Sequence, residues 1–188
     1  MTPRKKTNAR KTRDYILPRE VDRLLDAAES NGRHGHRNHT LILLCYRHGL
    51  RVGELMTLRW RNVDFKRKVL RVSRALGGIN SVHPLSTIEL RALRKLKKDY
   101  PGTPYLFVND RRKTLSKRAA SRIVSEAGDN AGLRLHVNPA MLRRGCIYAL
   151  ANAGHNVVAL QHYVGHRNIR HTLRYMELPS RPFRDFWK

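Results

Sequence analysis

Three side-chain types in this sequence can act on a phosphate ester without a metal ion, and they sit at recurring places. Arg51 follows Gly49-Leu50 at the end of an apolar stretch, where a turn can aim a planar guanidinium at phosphate oxygens. Arg143 and Arg144 fall in the first turns of the helix that Pro139 should open, where peptide dipoles also favour an anion. Tyr175 comes nine residues after His166, in the run Gly165-His166-Arg167-Asn168-Ile169-Arg170-His171-Thr172-Leu173-Arg174-Tyr175. A phenol has a pKa of about 10 in water. Guanidinium neighbours favour its phenolate, which would make Tyr175 a nucleophile at neutral pH, with His166 as a neutral donor to phosphate. Composition by itself also admits blander readings: Arg51 as one solvated arginine among many, Tyr175 as a half-buried tyrosine on a short helix.

The placement of the acids narrows the chemistry. Lys and Arg number 39 against 14 Asp and Glu, a net charge of +25 over 188 residues, so a polyanion is the expected partner. Between Asp129 and Glu177 there is no carboxylate at all, while Arg134, Arg143, Arg144, Arg167, Arg170 and Arg174 share that stretch with five histidines. Two-metal phosphodiester chemistry needs clustered carboxylates, and this segment repels cations. His162 and His166 have a zinc-like spacing, but Gly165 breaks the helix between them and no acidic or thiol ligand is near, so neither metal nor cofactor is expected. Cys45 and Cys146 lie in apolar helical text and read as reduced core residues. No apolar run approaches the roughly 20 residues of a membrane span and no signal-peptide block begins the chain, so a cytoplasmic, nucleoid-associated protein is expected.

The elements that must position these residues follow from periodicity. Residues 1–14 are basic, with almost nothing apolar, and read as a disordered arm. Pro18 opens a helix with Val21, Leu24, Leu25 and Ala28 on one stripe, ended by Asn31-Gly32. His39 to His48 is apolar nearly all round and reads as the central buried helix, closed by Gly49. Glu54, Leu55 and Leu58 suit a short helix. Lys68 to Val72 alternates as a strand, Gly77-Gly78 marks a hairpin turn, and Ser81 to Leu85 returns as an edge strand holding Pro84. Ser86 and Glu89 form a capping box before a helix with Leu90, Leu93 and Leu96 inside. Tyr105 to Val108 reads as a third short strand. Ser116 to Ala127 is a helix with a basic outer face that includes Lys117, Arg118 and Arg122. Asn138-Pro139 starts a helix with Met141, Leu142, Cys146, Ala149 and Leu150 buried up to Gly154, and two short helices are predicted over residues 156–163 and 168–176. Phe183, Phe186 and Trp187 end the chain, suited to packing on their own domain or docking on another subunit. The fold class is mainly α with a small antiparallel sheet.

Four motifs in order carry a resemblance. Gly49-Leu50-Arg51-Val52-Gly53-Glu54-Leu55, Met141-Leu142-Arg143-Arg144, Val164-Gly165-His166-Arg167-Asn168-Ile169 and Tyr175 resemble the boxes of the tyrosine recombinase (phage integrase) family over about residues 15–178, and residues 165–172 look closest to the short fimbrial-switch invertases. The resemblance implies a recombinase catalytic domain over residues 15–178, without the separate N-terminal clamping domain of longer relatives, and a tail at 179–188 exchanged between subunits. It implies that Tyr175 attacks the scissile phosphate and stays linked to a DNA 3′ phosphate, that Arg51 and Arg143 brace the charge, and that His166 hydrogen-bonds the same phosphate. It implies double-stranded DNA with inverted-repeat sites as partner, a homotetramer on that DNA, and DNA-bending accessory proteins. Arg74, Lys117, Arg118, Arg144, Arg167 and Arg170 are the candidate DNA contacts.

Two positions depart from the family pattern. The usual histidine three residues before the second arginine is Ala140, and the lysine of the hairpin is replaced by Leu76, with no lysine between Lys68 and Lys95. Neither side chain moves a proton. Arg74 and His136 are the candidate substitutes. The sequence therefore supports a recombinase and, in second place, a catalytically impaired relative that binds DNA as a regulator. An RNA-binding or ribosome-associated basic protein would fit the charge but leave the ordered boxes unexplained.

Overall fold

The structure, a computed structural model, describes residues 13–176. Most of the basic arm and all of the aromatic tail lie outside the described residues. The chain folds as α1 (Pro18–Glu29), α2 (Gly35–Arg47), α3 (Val52–Thr57), β1 (Val63–Asp64), β2 (Val69–Val72), β3 (Ser81–Pro84), α4 (Thr87–Asp99), α5 (Lys117–Asn130), α6 (Pro139–Asn152), α7 (Val157–Val164) and α8 (Arg170–Leu173). The mainly helical fold with a small antiparallel sheet is the one expected.

Helix α2 is the axis. Leu41, Ile42, Leu44 and Cys45 are fully buried because α1, α4 and α6 all pack around it, which is what an all-round apolar helix requires. It begins at Gly35 rather than His39. Its polar first turn is held by tertiary hydrogen bonds, His36 Nε2 to Ala92 O at 3.0 Å and Arg37 Nη1 to Val108 O at 2.9 Å, which periodicity does not register. Ser86, Ser116 and Asn138 cap α4, α5 and α6 as their sequences indicate, each accepting a backbone N–H three residues on.

The sheet has the order β1-β2-β3, with Leu70 opposite both Val63 and His83. Its third strand is Val63–Asp64, not residues 105–108. Tyr105 and Val108 make only isolated bridges, to Arg59 and Thr114. Because Val72 pairs with Ser81, β2 and β3 are joined by the loop 73–80 rather than by a two-residue turn at Gly77-Gly78. The last helix is shorter than predicted and stops before Tyr175, which lies on the turn after it, its N–H on Thr172 O at 3.0 Å.

Two apolar clusters result. The large one includes α1, α2, α4, α5 and the sheet; the small one is Ile147, Ala151, Leu160 and Val164, with Tyr163, Tyr175 and Met176 packed on it. Both cysteines are buried and free, as expected. Among the described residues no helix is long and apolar enough to cross a membrane.

Candidate functional site

Gly49 turns the chain out of α2 with φ +53°, and Arg51 becomes the N-cap of α3. Glu54, three residues on, folds back so that its carboxylate accepts from the Arg51 amide at 2.9 Å and from Arg51 Nη1 at 2.8 Å. The same carboxylate accepts from Arg74 Nη1 at 2.9 Å and from the Ala75 amide at 3.1 Å. Glu54 is buried. Burial acts to raise its pKa, but the Arg51 amide and the Arg74 charge outweigh that and hold it below the usual glutamate range.

Arg143 comes from the second turn of α6, with 8% of the residue exposed. Its Nη1 donates to Gly49 O and its Nη2 to Val164 O at 2.8 Å. Burial, reinforced by the charges of Arg51 and Arg74, pulls its pKa down to about 10, so it remains a cation at neutral pH. The carbonyls that hold it end α2 and α7, and helix C-termini carry the negative end of the peptide dipole.

His166 follows Gly165, which sits at φ +69° and ends α7. Its Nδ1 lies 2.9 Å from Thr172 Oγ1, and its carbonyl accepts from Gln161 Nε2 at 3.0 Å. Burial, then Arg143 and Arg51, press its pKa down to about 4. The imidazole is therefore neutral at physiological pH, the state expected of a donor to phosphate.

Tyr175 is half-buried in a cleft with Asp14, Tyr15, Tyr148 and Arg174. Its phenol titrates above the ordinary value. Burial is the main cause and Asp14 adds to it; Arg144, Arg143 and Arg174 oppose it without prevailing. The expectation that guanidinium neighbours favour the phenolate is corrected here: desolvation of the half-buried phenol outweighs the charges of Arg144, Arg143 and Arg174. By geometry, Arg143 and Arg51 are linked through shared partners, since Gly49 O accepts from Arg143 and Arg74 and Glu54 accepts from Arg74 and Arg51; Arg143 also donates to Val164 O, two residues before His166, and Tyr175 packs on the apolar cluster that includes Val164.

A profile of the phage integrase family matches residues 14–180. The chain belongs to that family. The type 1 fimbriae regulatory protein FimB of Escherichia coli strain K12 is 37% identical over 182 residues, covering 94% of this chain and 90% of that protein. The crystal structure of XerA recombinase superposes with a TM-score of 0.77 at 24% identity, covering 92% of this chain and 63% of that one. A XerH site-specific recombinase bound to difH substrate, in a pre-cleavage complex, gives 0.77 at 18% identity, covering 89% of this chain and 52% of that one. The chain thus spans just under two thirds of XerA and about half of XerH.

On this phage integrase fold the DNA-contact candidates divide. Lys117, Arg118, Arg167 and Arg170 are exposed. Arg144 is not free: its Nε donates to Asp14 O at 2.5 Å and lies 3.3 Å from Asp14 Oδ2, tying residues 14–16 to α6. Arg13, assigned to the arm, pairs with Glu20 at 2.5 Å. Arg74 is buried rather than displayed, because carbonyl groups and Glu54 take up its guanidinium. His136 faces a groove on α5 beside Arg118 and Ser125. Leu76 stands 89% exposed at the tip of the hairpin loop with φ +58°, and Ala140 is exposed in the first turn of α6.

Several residues of the site escaped sequence reasoning. Glu54 was legible as a helix residue, but its spacing from Arg51 is also that of a reciprocal cap, the one available signal. A buried polar group beneath the site left no trace: His48 Nε2 is 2.8 Å from Glu89 Oε1, and His48 Nδ1 is 3.0 Å from His83 Nδ1. Among the described residues no group of three or more His, Cys, Asp or Glu is placed to hold a metal ion.

Proposed function

We propose that the protein is a site-specific recombinase that cleaves and rejoins DNA through Tyr175. Arg51 and Arg143 hold the non-bridging oxygens of the scissile phosphate, neutral His166 donates to the same group, and the phenolic oxygen attacks phosphorus. The new bond is the Tyr175 O–P ester on the DNA 3′ end and the bond broken is P–O5′; the phenolic proton goes to water, and the 5′ oxygen leaves as a hydroxyl by taking a proton from water, so the step is proton-neutral. Each phosphodiester is exchanged for an ester of similar energy, so the cycle runs without ATP. The observation that supports this reading is the shared anchorage of the two arginines: Gly49 O accepts from Arg143 and Arg74, Glu54 accepts from Arg74 and Arg51, and Arg143 also donates to Val164 O beside the turn that presents His166. The resemblance of residues 165–172 to the fimbrial-switch invertases, together with 37% identity to a type 1 fimbriae regulatory protein, extends the proposal to inversion of a short promoter-type segment by a homotetramer on inverted-repeat sites, assisted by DNA-bending proteins. Lys117, Arg118, Arg167 and Arg170 serve as exposed DNA contacts.

The test is a nicked suicide duplex, which traps the covalent intermediate. An adduct that disappears in Tyr175→Phe, with DNA binding retained, is expected; an adduct that persists in that variant excludes Tyr175 as nucleophile.

A second reading has its own support. Leu76 and Ala140 occupy the places from which the family moves protons, and neither carries a titratable group. General acid-base groups are commonly worth 10²- to 10⁴-fold each, so a chain lacking two can act chiefly as a DNA-binding regulator. Specific binding with no adduct from wild type would favour that reading.

A further inference from the structure

Arg74 is the residue whose placement the proposed chemistry does not absorb. Its side chain is fully buried. Nη1 donates to Gly49 O at 3.2 Å and Glu54 Oε2 at 2.9 Å, and Nη2 donates to His48 O at 3.0 Å and Tyr163 O at 2.5 Å. All four outer N–H groups are spent inside the protein, and reaching a DNA phosphate would break every one of them. The partners are not arbitrary. Glu54, which takes one N–H of Arg74, takes Arg51 with its other oxygen. Gly49 O, which takes another, also accepts from Arg143.

The third phosphate ligand is reached by packing. A Cβ at Gly165 would lie 2.4 Å from Arg74 Cγ, so the turn that presents His166 closes directly on the Arg74 stem. The hairpin is pinned from the same residue: the Arg74 amide donates to Asn80 Oδ1 at 2.8 Å, and the next amide, Ala75, donates to Glu54.

We propose that Arg74 is a positioning residue, whose buried guanidinium sets Arg51 through their shared carboxylate and Arg143 through their shared carbonyl, and which does not itself touch DNA. The role needs a planar fork that can serve four acceptors at once; a lysine supplies a point charge with three donors and no fixed plane. This inference rests on the proposed function for its purpose, since preorganised phosphate ligands are what such a hub provides.

The experiment is a double-mutant cycle on the full chain, using a duplex recovered by binding selection from a random pool. Affinity and adduct yield are measured for wild type, Arg74→Lys, Arg51→Gln and the double variant. Arg51→Gln and Arg74→Lys are each expected to weaken binding about tenfold, the scale of one charge-assisted hydrogen bond, with less than a further twofold loss in the double variant. Adduct formation in Arg74→Lys should drop by about 10²-fold, as for a misplaced catalytic group. A merely structural residue would lower the melting temperature without this non-additivity. Losses that multiply, or an Arg74→Lys protein indistinguishable from wild type, overturn the proposal. If Arg74→Lys fails to fold by circular dichroism, Glu54→Gln takes its place in the cycle; wild-type binding by that variant overturns the proposal equally. Absence of an adduct in wild type counts against the proposed function alone, because the cycle is scored on affinity either way.

Discussion

The guanidinium cradle and the tyrosine cleft are built on opposite principles. Arg74 and Arg143 are buried cations held by helix-end carbonyls, and Glu54 joins Arg74 to Arg51. Burying charge is costly unless it is paired and hydrogen-bonded; here Glu54 and backbone carbonyls meet the outer guanidinium groups of Arg74, while its Nε is buried without a partner. Tyr175 follows a four-residue helix, packs on the smaller apolar cluster, and carries a phenol that its surroundings keep protonated. The half proposed to hold phosphate is ordered by folding itself; the half proposed to attack rests in a form that must lose a proton, and its helix contributes little to fix it.

The contrast is broken most severely by removing the residue common to both halves. Arg143→Ala deletes one of the two guanidinium donors of Gly49 O and the side-chain donor of Val164 O, and with them the cation proposed to brace the phosphate. Adduct formation should be abolished on a suicide duplex, while DNA binding weakens by only about tenfold, as for Arg51→Gln, because binding is spread over many basic residues. Loss of all DNA binding by a folded Arg143→Ala protein would show that the cradle, not the surface, carries the affinity.

Supplying the missing proton donors sharpens the same comparison. Leu76 is at the exposed hairpin tip and Ala140 at the exposed start of α6, so Leu76→Lys and Ala140→His disturb no packed neighbour. Each should raise the rate of adduct formation, by up to about 10²- to 10⁴-fold. No gain from either, alone or together, would mean that proton transfer does not limit the reaction.

What could be read in advance tracks the same division. Most helices, their caps and the antiparallel pairing of β2 with β3 were legible because periodicity and capping residues act locally, as at Ser86, Ser116 and Asn138. Arg51, Arg143, His166 and Tyr175 were legible as motifs, and the hydrogen bonds that tie Arg51 to Arg143 through Glu54, Arg74 and Gly49 O were not. The first turn of α2 was missed because a distant partner, Val108 O, holds it, and the strand at Val63–Asp64 because two residues are too few for alternation to register, although its partners Leu70 and Val69 are close in the chain. Arg74 was misplaced for a like reason: one arginine in a basic sequence looks solvated, and only the approach of His48, Gly49, Glu54 and Tyr163, far apart in the chain, makes it internal. The Tyr175 phenol went the other way, since desolvation is not a property of sequence neighbours.

Folding around buried histidines gives a smaller, titratable effect. His83 is fully buried, and burial, followed by the charges of His48 and Arg74, depresses its pKa to about 3. The unfolded chain takes up a proton near 6.5 that the folded chain refuses, so stability is present above that pH and falls as pH drops toward 3. The limiting slope is about 1.4 kcal/mol per pH unit for this one group. His166 adds in the same direction between 6.5 and about 4, discounted for its partial exposure. Urea denaturation across pH 4.5–7.5 measures the slope, and His83→Gln should flatten it. A slope unchanged in that variant would assign the acid sensitivity elsewhere.

The smallest expected effects separate electrostatics from tethering at the tyrosine. Asp14 raises the Tyr175 pKa and Arg144 lowers it, yet the two are bound to each other: Asp14→Asn weakens only the side-chain ion pair, while Arg144→Gln also removes the hydrogen bond to the Asp14 carbonyl, so both loosen residues 14–16 from α6, the second more. If charge governs the phenol, the variants move cleavage in opposite directions below its pKa: faster in Asp14→Asn, slower in Arg144→Gln, each by no more than about fivefold because Asp14 is largely exposed. If instead the tether holds Tyr175 back, both variants accelerate cleavage together. Single-turnover adduct formation at pH 7 and pH 9 decides between these outcomes, since a charge effect shrinks as the phenol begins to ionise by itself and a tether effect does not.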